Sequence, residues 1–209
     1  MTETPTTRVL LTGATGFLGQ AVLERLLSAH EGVHVTAVVR PKGSISGEQR
    51  LRQLLRKPAF RTWREAVGEE EAQRVFAERT AVLEGDLSAL AGLAEPFDVV
   101  IHSASTVSFD PPIHEAFSTN VGGATGLYDA LLASGQDPHV IHVSTCYVGG
   151  IAKGLRPEAA VDHEVDWAAE FEAASRRLEE RLDQLRGFAQ RLGMTPKAAI
   201  PGGRRIPLE

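Results

Sequence analysis

The chain has 209 residues, 43% of them hydrophobic and 23% charged, a balance that suits one compact soluble domain with its own core. A formal charge of -5 argues against nucleic acid as the main partner. No apolar run reaches membrane-spanning length, residues 1–7 lack the form of a signal peptide, and the single cysteine, Cys146, excludes an internal disulfide and fits a reducing cytoplasm.

Arg8 to Leu27 reads as a short apolar strand (Val9 to Leu11), a glycine turn and an amphipathic helix. Phe17, Leu18, Val22, Leu23, Leu26 and Leu27 follow the turn at helical spacing. Gly13 allows the tight turn, Gly16 lets the backbone approach a pyrophosphate, and Gly19 lets the helix pack against the sheet. The N–H groups at the helix start, with its dipole, would hold the phosphates. Isolated glycines are a weak signal, so the reading as a dinucleotide site rests on the strand before and the helix after.

Val33 to Val39 is β-branched and nearly all apolar, the pattern of a buried parallel strand. It runs into Arg40-Pro41-Lys42, where an acidic side chain would take a ribose hydroxyl pair in an NAD site. No Asp or Glu stands there. Arg40 could pair with a 2′-phosphate, with Lys42 adding charge, so NADP is favoured over NAD. The alternative is a solvated Arg at a strand end. Ile45 to Arg79 is helical and charged, with Pro58 between two helices and Leu51, Leu54, Leu55, Trp63, Val67, Val75 and Phe76 on their apolar faces.

Thr80 to Leu83 make a third strand, followed by Gly85-Asp86-Leu87. Asp86 could cap the next helix or accept a bond from an adenine amino group, and both readings stand. Asp98 to His102 form a fourth strand, and the small residues Ser103, Ala104 and Ser105 leave room for a cofactor at its end. His102 and His142 lie within apolar strands and read as core or packing histidines, not ligands; no metal site is expected. Pro111 to Ala133 hold a long helix with Phe117, Val121, Leu127, Leu131 and Leu132 inside, and with Asn120 mid-helix, where an amide needs a partner. Val140 to Val143 are the fifth strand, near a sheet edge. Strand alternating with helix five times predicts a doubly wound, Rossmann-like α/β fold with ligands at the carboxyl ends of its strands.

Thr-Gly-Ala-Thr-Gly-Phe-Leu-Gly at 12–19, Gly-Asp-Leu at 85–87, His-Ser-Ala-Ser at 102–105, Asn-Val-Gly-Gly at 120–123 and His-Val-Ser-Thr-Cys-Tyr-Val-Gly-Gly at 142–150 resemble the extended short-chain dehydrogenase/reductases. Within them the chain is most similar to the fatty acyl-CoA reductase and thioester reductase branch. The resemblance covers about residues 8–192. It implies that Gly13, Thr15, Gly16, Phe17, Leu18 and Gly19 hold the pyrophosphate, Arg40 and Lys42 the 2′-phosphate, and Asp86 and Leu87 the adenine side. Ser103, Ala104 and Ser105 would lie along the cofactor. Thr145 matches the catalytic Ser/Thr, with Ser144 the less favoured neighbour, and Asn120 matches the helix asparagine.

The implied chemistry is hydride transfer from NADPH to the carbonyl carbon of an acyl-CoA or carrier-bound acyl thioester, giving aldehyde or alcohol. A preplaced hydroxyl donor such as Thr145 is worth most where charge develops on the carbonyl oxygen. Cys146 as an acyl-accepting nucleophile is disfavoured, since no activating base stands beside it. Two rivals remain: a nucleotide-sugar epimerase or dehydratase of the same superfamily, and a non-catalytic NADP-binding module.

The resembling family also carries a tyrosine with a lysine four residues on. Here Tyr128 is followed four on by Leu132, Tyr147 by Ile151, and Lys153 lies six beyond Tyr147, so the pair is absent. Residues 1–150 read as an NAD(P)-binding Rossmann-like domain, 151–194 as loop and long amphipathic helix (Asp162 to Leu192) of the same domain, and 195–209 as an irregular tail. That tail, with three prolines, is expected to be an out-of-frame or artificial end, leaving the sheet C-terminally incomplete.

Overall fold

Alternation along the central strand β1 (Thr7–Thr12) divides the core in two: Val9 and Leu11 face one layer of helices, Leu10 faces the other, and all three are buried. The computed structural model describes residues 6–90, 93–108, 111–149, 153–155, 157–159 and 164–191. The chain divides into compact units at 1–162 and 163–209. In the first, β1 is followed by α1 (Phe17–Ala29) and β2 (Val33–Val39), then α2 (Gly47–Leu54), a 3₁₀ turn at Pro58–Phe60, α3 (Arg61–Val67), α4 (Glu69–Arg79) and β3 (Thr80–Glu84). After a 3₁₀ turn at Leu87–Ala89 come β4 (Val99–His102), α5 (Ile113–Ala116), a π-helical segment (Phe117–Gly122), α6 (Gly123–Ala133) and β5 (His139–His142).

The five strands are all parallel, in the order β3-β2-β1-β4-β5. This is the doubly wound, Rossmann-like sheet expected from the sequence. The order reverses between β1 and β4, so the crevice at their carboxyl ends is where such sheets bind ligands. Residues from β1, β2, α1, α2 and α4 fill one core around Phe60, whose ring lies 6.4 Å from Trp63 and 5.9 Å from Phe76. Leu10, Val38, Val100, Leu127 and Leu131 fill the other.

Arg79, at the end of α4, ties two elements of the first core by reaching back to α1. Its guanidinium donates to the carbonyls of Val33 (2.8 Å), Leu27 (3.1 Å), Leu26 (3.3 Å) and His30. α1 has no basic residue of its own in its last turn, so Arg79 supplies the donors that its orphan carbonyls need.

Several local expectations change. Ile45 to Arg79 holds three α-helices, not two, because Gly68 (φ 91°) turns the chain between α3 and α4. Val67, beside that turn, is exposed, as is Leu132, which faces away from the core on α6. Phe17 and Leu18 also stay outside the core, in the first turn of α1. His142 is exposed on β5, an edge strand, and is therefore not a core histidine; its ring lies 5.1 Å from that of the buried His102. The helix expected from Pro111 starts at Ile113 and widens to π geometry around Asn120.

The described part of the second unit is α7 (Trp167–Arg191). Asp166 opens it, its Oδ1 accepting from the N–H groups of Ala168 (2.9 Å) and Ala169 (3.1 Å). Pairs such as Arg186–Asp183 at 2.9 Å lie along its surface. Asp162, Leu192, Gly150 and the tail at 195–209 lie outside the described residues. Among the described residues no helix is long and apolar enough to cross a membrane.

Candidate functional site

The glycine turn sits at the reversal point of the sheet, and backbone contact shapes it. Gly13 adopts φ 74°, a region open to glycine and costly for other residues. A Cβ there would stand 2.7 Å from the Ser103 carbonyl group, so the turn rests directly on the loop after β4. The Gly16 N–H donates to Gly13 O at 2.8 Å. A Cβ on Gly19 would meet Gly13 O at 2.1 Å, so α1 packs its backbone on the turn itself. At Gly16 the closest protein atom would be Gly13 O at 3.2 Å, which leaves that position open on its outer side. α1 begins with neither a side-chain cap nor an acidic residue in its first turn. Its leading N–H groups therefore suit an anion.

A buried polar knot holds β1 and β4 together at this point. Thr12 Oγ1 accepts from the N–H groups of Ser103 (3.1 Å) and Ala104 (3.2 Å) and lies 2.8 Å from His102 Nδ1. With both acceptor positions used, the Thr12 hydroxyl donates to Nδ1. That assigns His102 as the neutral tautomer carrying its proton on Nε2. Burial first, then the neighbouring His142, push its pKa down to about 4. Ser103 Oγ completes the knot by donating to Thr12 O at 2.8 Å. On β5, His142 Nδ1 is bonded to the Tyr128 hydroxyl of α6.

Around this frame lies a cavity of about 240 Å³. It brings together Gly13, Thr15, Gly16, Arg40, Asp86, Leu87, Ser103, Ala104 and Ser105, residues spread over more than ninety positions of the sequence. Arg40 Nη1 donates to Asp86 Oδ2 at 3.1 Å across its mouth, with both side chains about half exposed. Asp86 Oδ1 also accepts from the Ser88 N–H (3.1 Å) and hydroxyl (2.8 Å), capping the turn at Leu87–Ala89. Partial burial pulls the Asp86 carboxyl up, but the two Ser88 bonds and the Arg40 guanidinium outweigh it and leave the pKa below the ordinary value.

The other candidates lie elsewhere. Phe17, Leu18, Gly19, Lys42, Asn120, Ser144 and Thr145 do not line this cavity. Lys42 is exposed in a small turn, bonded through its backbone to Ile45. Asn120, in the π segment, accepts from the Thr106 N–H at 2.8 Å and donates to Thr106 O at 3.3 Å, clamping the loop that leaves β4. Ser144 and Thr145 are exposed just past β5, where Thr145 Oγ1 accepts from the Tyr147 N–H at 3.3 Å. Arg50, Ser118 and Thr119 line the cavity without having been singled out in the sequence, as does Gly123, the last residue of the 120–123 motif. For Arg50 the available signal was a cation ten residues past Arg40, next to a core leucine. A wider groove of about 730 Å³ runs between α2, α4 and β3 and contains none of the motif residues.

A family model for NAD binding, described as male sterility protein, matches residues 11–190. Fatty acyl-CoA reductase 8 of Arabidopsis thaliana is 28% identical over 162 residues, which are 72% of this chain and 33% of that protein. Human fatty acyl-CoA reductase 2 is 31% identical over 66% of this chain and 28% of its own length. Among solved structures, a thiolation-reductase di-domain from an archaeal non-ribosomal peptide synthetase aligns with a TM-score of 0.55 and 26% identity, covering 69% of this chain and 29% of the other. The chain thus spans about a third of the length of these curated relatives.

Proposed function

The chain belongs to the male sterility protein family of NAD-binding domains, and from that premise we propose that it is the cofactor-binding portion of an NADPH-dependent reductase of acyl-CoA or carrier-bound acyl thioesters. The observation that carries this reading is the cavity at the strand-order reversal, where a glycine turn, an uncapped helix N-terminus and Arg40 meet. The residues fit a dinucleotide phosphate: Gly16 is open on its outer side, and α1 leaves its first donors for an anion. A volume of about 240 Å³ is below that of a whole ligand pocket, so the cavity takes only part of such a cofactor.

When bound, NADPH supplies the hydride. Gly13, Gly16 and the first turn of α1 would hold its pyrophosphate, and Ser103, Ala104 and Ser105 would border the cofactor in the same cavity. The Thr12–His102 knot keeps that border against the turn. Asn120 fixes the loop after β4 through its two bonds to Thr106. The hydroxyl of Thr145 donates to the carbonyl oxygen as charge builds there, with Ser144 beside it. Aldehyde release or further reduction to alcohol is decided by parts that hold the acyl chain. The exposed thiol of Cys146 accords with a reducing cytoplasm.

The test is titration of the chain with NADPH and NADH, read by nicotinamide fluorescence, followed by addition of palmitoyl-CoA with absorbance followed at the reduced-nicotinamide band. Tighter binding of NADPH, with its oxidation on adding the thioester, supports the reading. Preference for NADH, or binding of a UDP-sugar in place of the thioester, overturns it.

A further inference from the structure

We propose that the outer edge of β3, with the groove beside it, is a docking surface for a second copy of this chain, whose own β3 pairs there antiparallel about a two-fold axis. The inference stands apart from the cofactor reading above.

This edge is open, and nothing in its sequence guards it. β3 ends the sheet and bonds only to β2, so alternate N–H and C=O groups of its five residues face outward. Edge strands that stay alone usually carry a lysine, a proline or a bulge. Thr80-Ala81-Val82-Leu83-Glu84 has neither lysine nor proline, and it pairs with β2 residue for residue. Beside it runs the groove of about 730 Å³, walled by Leu51 and Leu55 of α2 and by Gln73, Phe76 and Ala77 of α4. Both helices lie on one face of the sheet, since Leu51, Leu55 and Phe76 share one core.

Charge selects the occupant. Residues 49–64 hold six cations and no acid, whereas residues 65–78 hold five acids and one cation. α2 belongs to the first block and α4 to the second. Among the described residues no carboxylate lies within ion-pair distance of Arg56, Lys57 or Arg61, and no cation lies that close to Glu65 or Glu70. The two blocks thus offer opposite signs to the same partner surface.

Topology then fixes the direction. α2 begins at the carboxyl end of β3, where the Gly47 N–H is bonded to Glu84. α4 enters at the amino end, with Arg79 directly before Thr80. A second β3 running parallel would carry its helices to the opposite face of the sheet and leave the groove uncovered. Running antiparallel, about an axis perpendicular to the sheet, it keeps them on the same face and sets basic α2 beside acidic α4 twice over. Centred on Val82, this pairing places Val82 opposite its own copy, Ala81 opposite Leu83 and Thr80 opposite Glu84. No like charges face each other in that register.

The test is sedimentation velocity of the full chain over a range of concentrations, with circular dichroism spectra to confirm the fold of each variant. Ala81→Lys puts a charge on this edge, at an exposed position, and Ile141→Lys does the same on β5. The parent is expected to dimerise, more weakly as salt is raised. Ala81→Lys should weaken the dimer about tenfold or more, and Ile141→Lys should leave it unchanged. In a Cys146→Ser background, Val82→Cys should link two copies on mild oxidation, because opposed residues of antiparallel strands stand about 4.5–5.5 Å apart, within disulfide reach. A parent that stays monomeric at every concentration overturns the proposal. So does a dimer that survives Ala81→Lys, one that Ile141→Lys abolishes, or one whose Val82→Cys thiols fail to link.

Discussion

Replacing Thr12 by Val removes one oxygen and almost no volume, which isolates the polar knot from packing. Thr12 is fully buried, and its hydroxyl serves His102 Nδ1 and the N–H groups of Ser103 and Ala104. A buried polar group left without a partner costs about 1–3 kcal/mol. Ser103 and Ala104 are half-buried and recover part of that from water, so the expected total is about 3 kcal/mol. For a chain of this size that lowers the melting temperature by roughly 6–12 °C. Thr12→Ser keeps the hydroxyl and should lose about 1 kcal/mol or less.

The same knot gives stability a pH dependence. The pKa of His102 is lowered from 6.5 to about 4, so between those values the unfolded chain binds the proton and the folded chain does not. The stabilisation is whole above pH 6.5 and is lost as pH falls toward 4. At pH 5 the folded state should be weaker than at pH 8 by about 2 kcal/mol from this group alone. Thr12→Val takes away the donor that favours the neutral ring, raises the histidine pKa and flattens that slope. Thermal melts followed by circular dichroism at pH 5 and pH 8 measure all of this. A valine variant as stable as the parent would refute the assignment of the hydrogen bonds, and a parent whose stability is flat between pH 5 and 7 would refute the lowered pKa of the buried His102.

The glycines of the turn should separate by role. Gly19→Ala drives a Cβ onto Gly13 O, displaces the turn, and lowers both melting temperature and nucleotide affinity, at about 1–3 kcal/mol in stability. Gly16→Ala, whose new methyl would press on Gly13 O at 3.2 Å, should lose about 1 kcal/mol or less in stability and about tenfold in nucleotide affinity; normal binding would mean that no phosphate passes there. Arg79→Met strands the carbonyls at the end of α1 and should cost about 2–3 kcal/mol, read as an earlier midpoint in urea, with nucleotide affinity of the folded fraction unchanged. Asn120→Ala releases Thr106, and hydrogen exchange at the Thr106 amide should accelerate while the β1 amides keep their protection.

Strands were the most legible part of this chain. Val33 to Val39 lies between two helix layers, so its run is apolar but for His34 and Thr36, and its bounds come out to the residue. β5 reads as a strand for the same reason, yet a sequence carries no mark of its edge position, and that is where His142 was misjudged. Helical periodicity marked the stretch after Ile45 but not its division at Gly68, since a glycine needed for a positive φ looks like one that is merely tolerated. What stayed hidden was the pairing of distant residues. Thr12 with His102, Arg79 with α1, and Arg50 with Thr15 join positions 90, 52 and 35 residues apart. Only the order of strands brings those positions side by side. Motif residues in the glycine turn and at 85–87 and 102–105 were visible because each follows a strand, and strand ends converge on the cavity.

The central place of β1 has a consequence during synthesis. It pairs with β2 on one side, Val9 opposite Val35, and with β4 on the other, Val9 opposite Val99. The first partner emerges soon after β1, but the second follows some 90 residues later, which at about 5–20 residues per second is roughly 5–20 s of translation. In that interval the β3-β2-β1 half can already close around Phe60 and Phe76, while Leu10 and one row of β1 amides face outward without a neighbour. A nascent chain stalled between residues 90 and 98 should therefore engage strand-capturing chaperones, and the arrival of β4 ends that exposure.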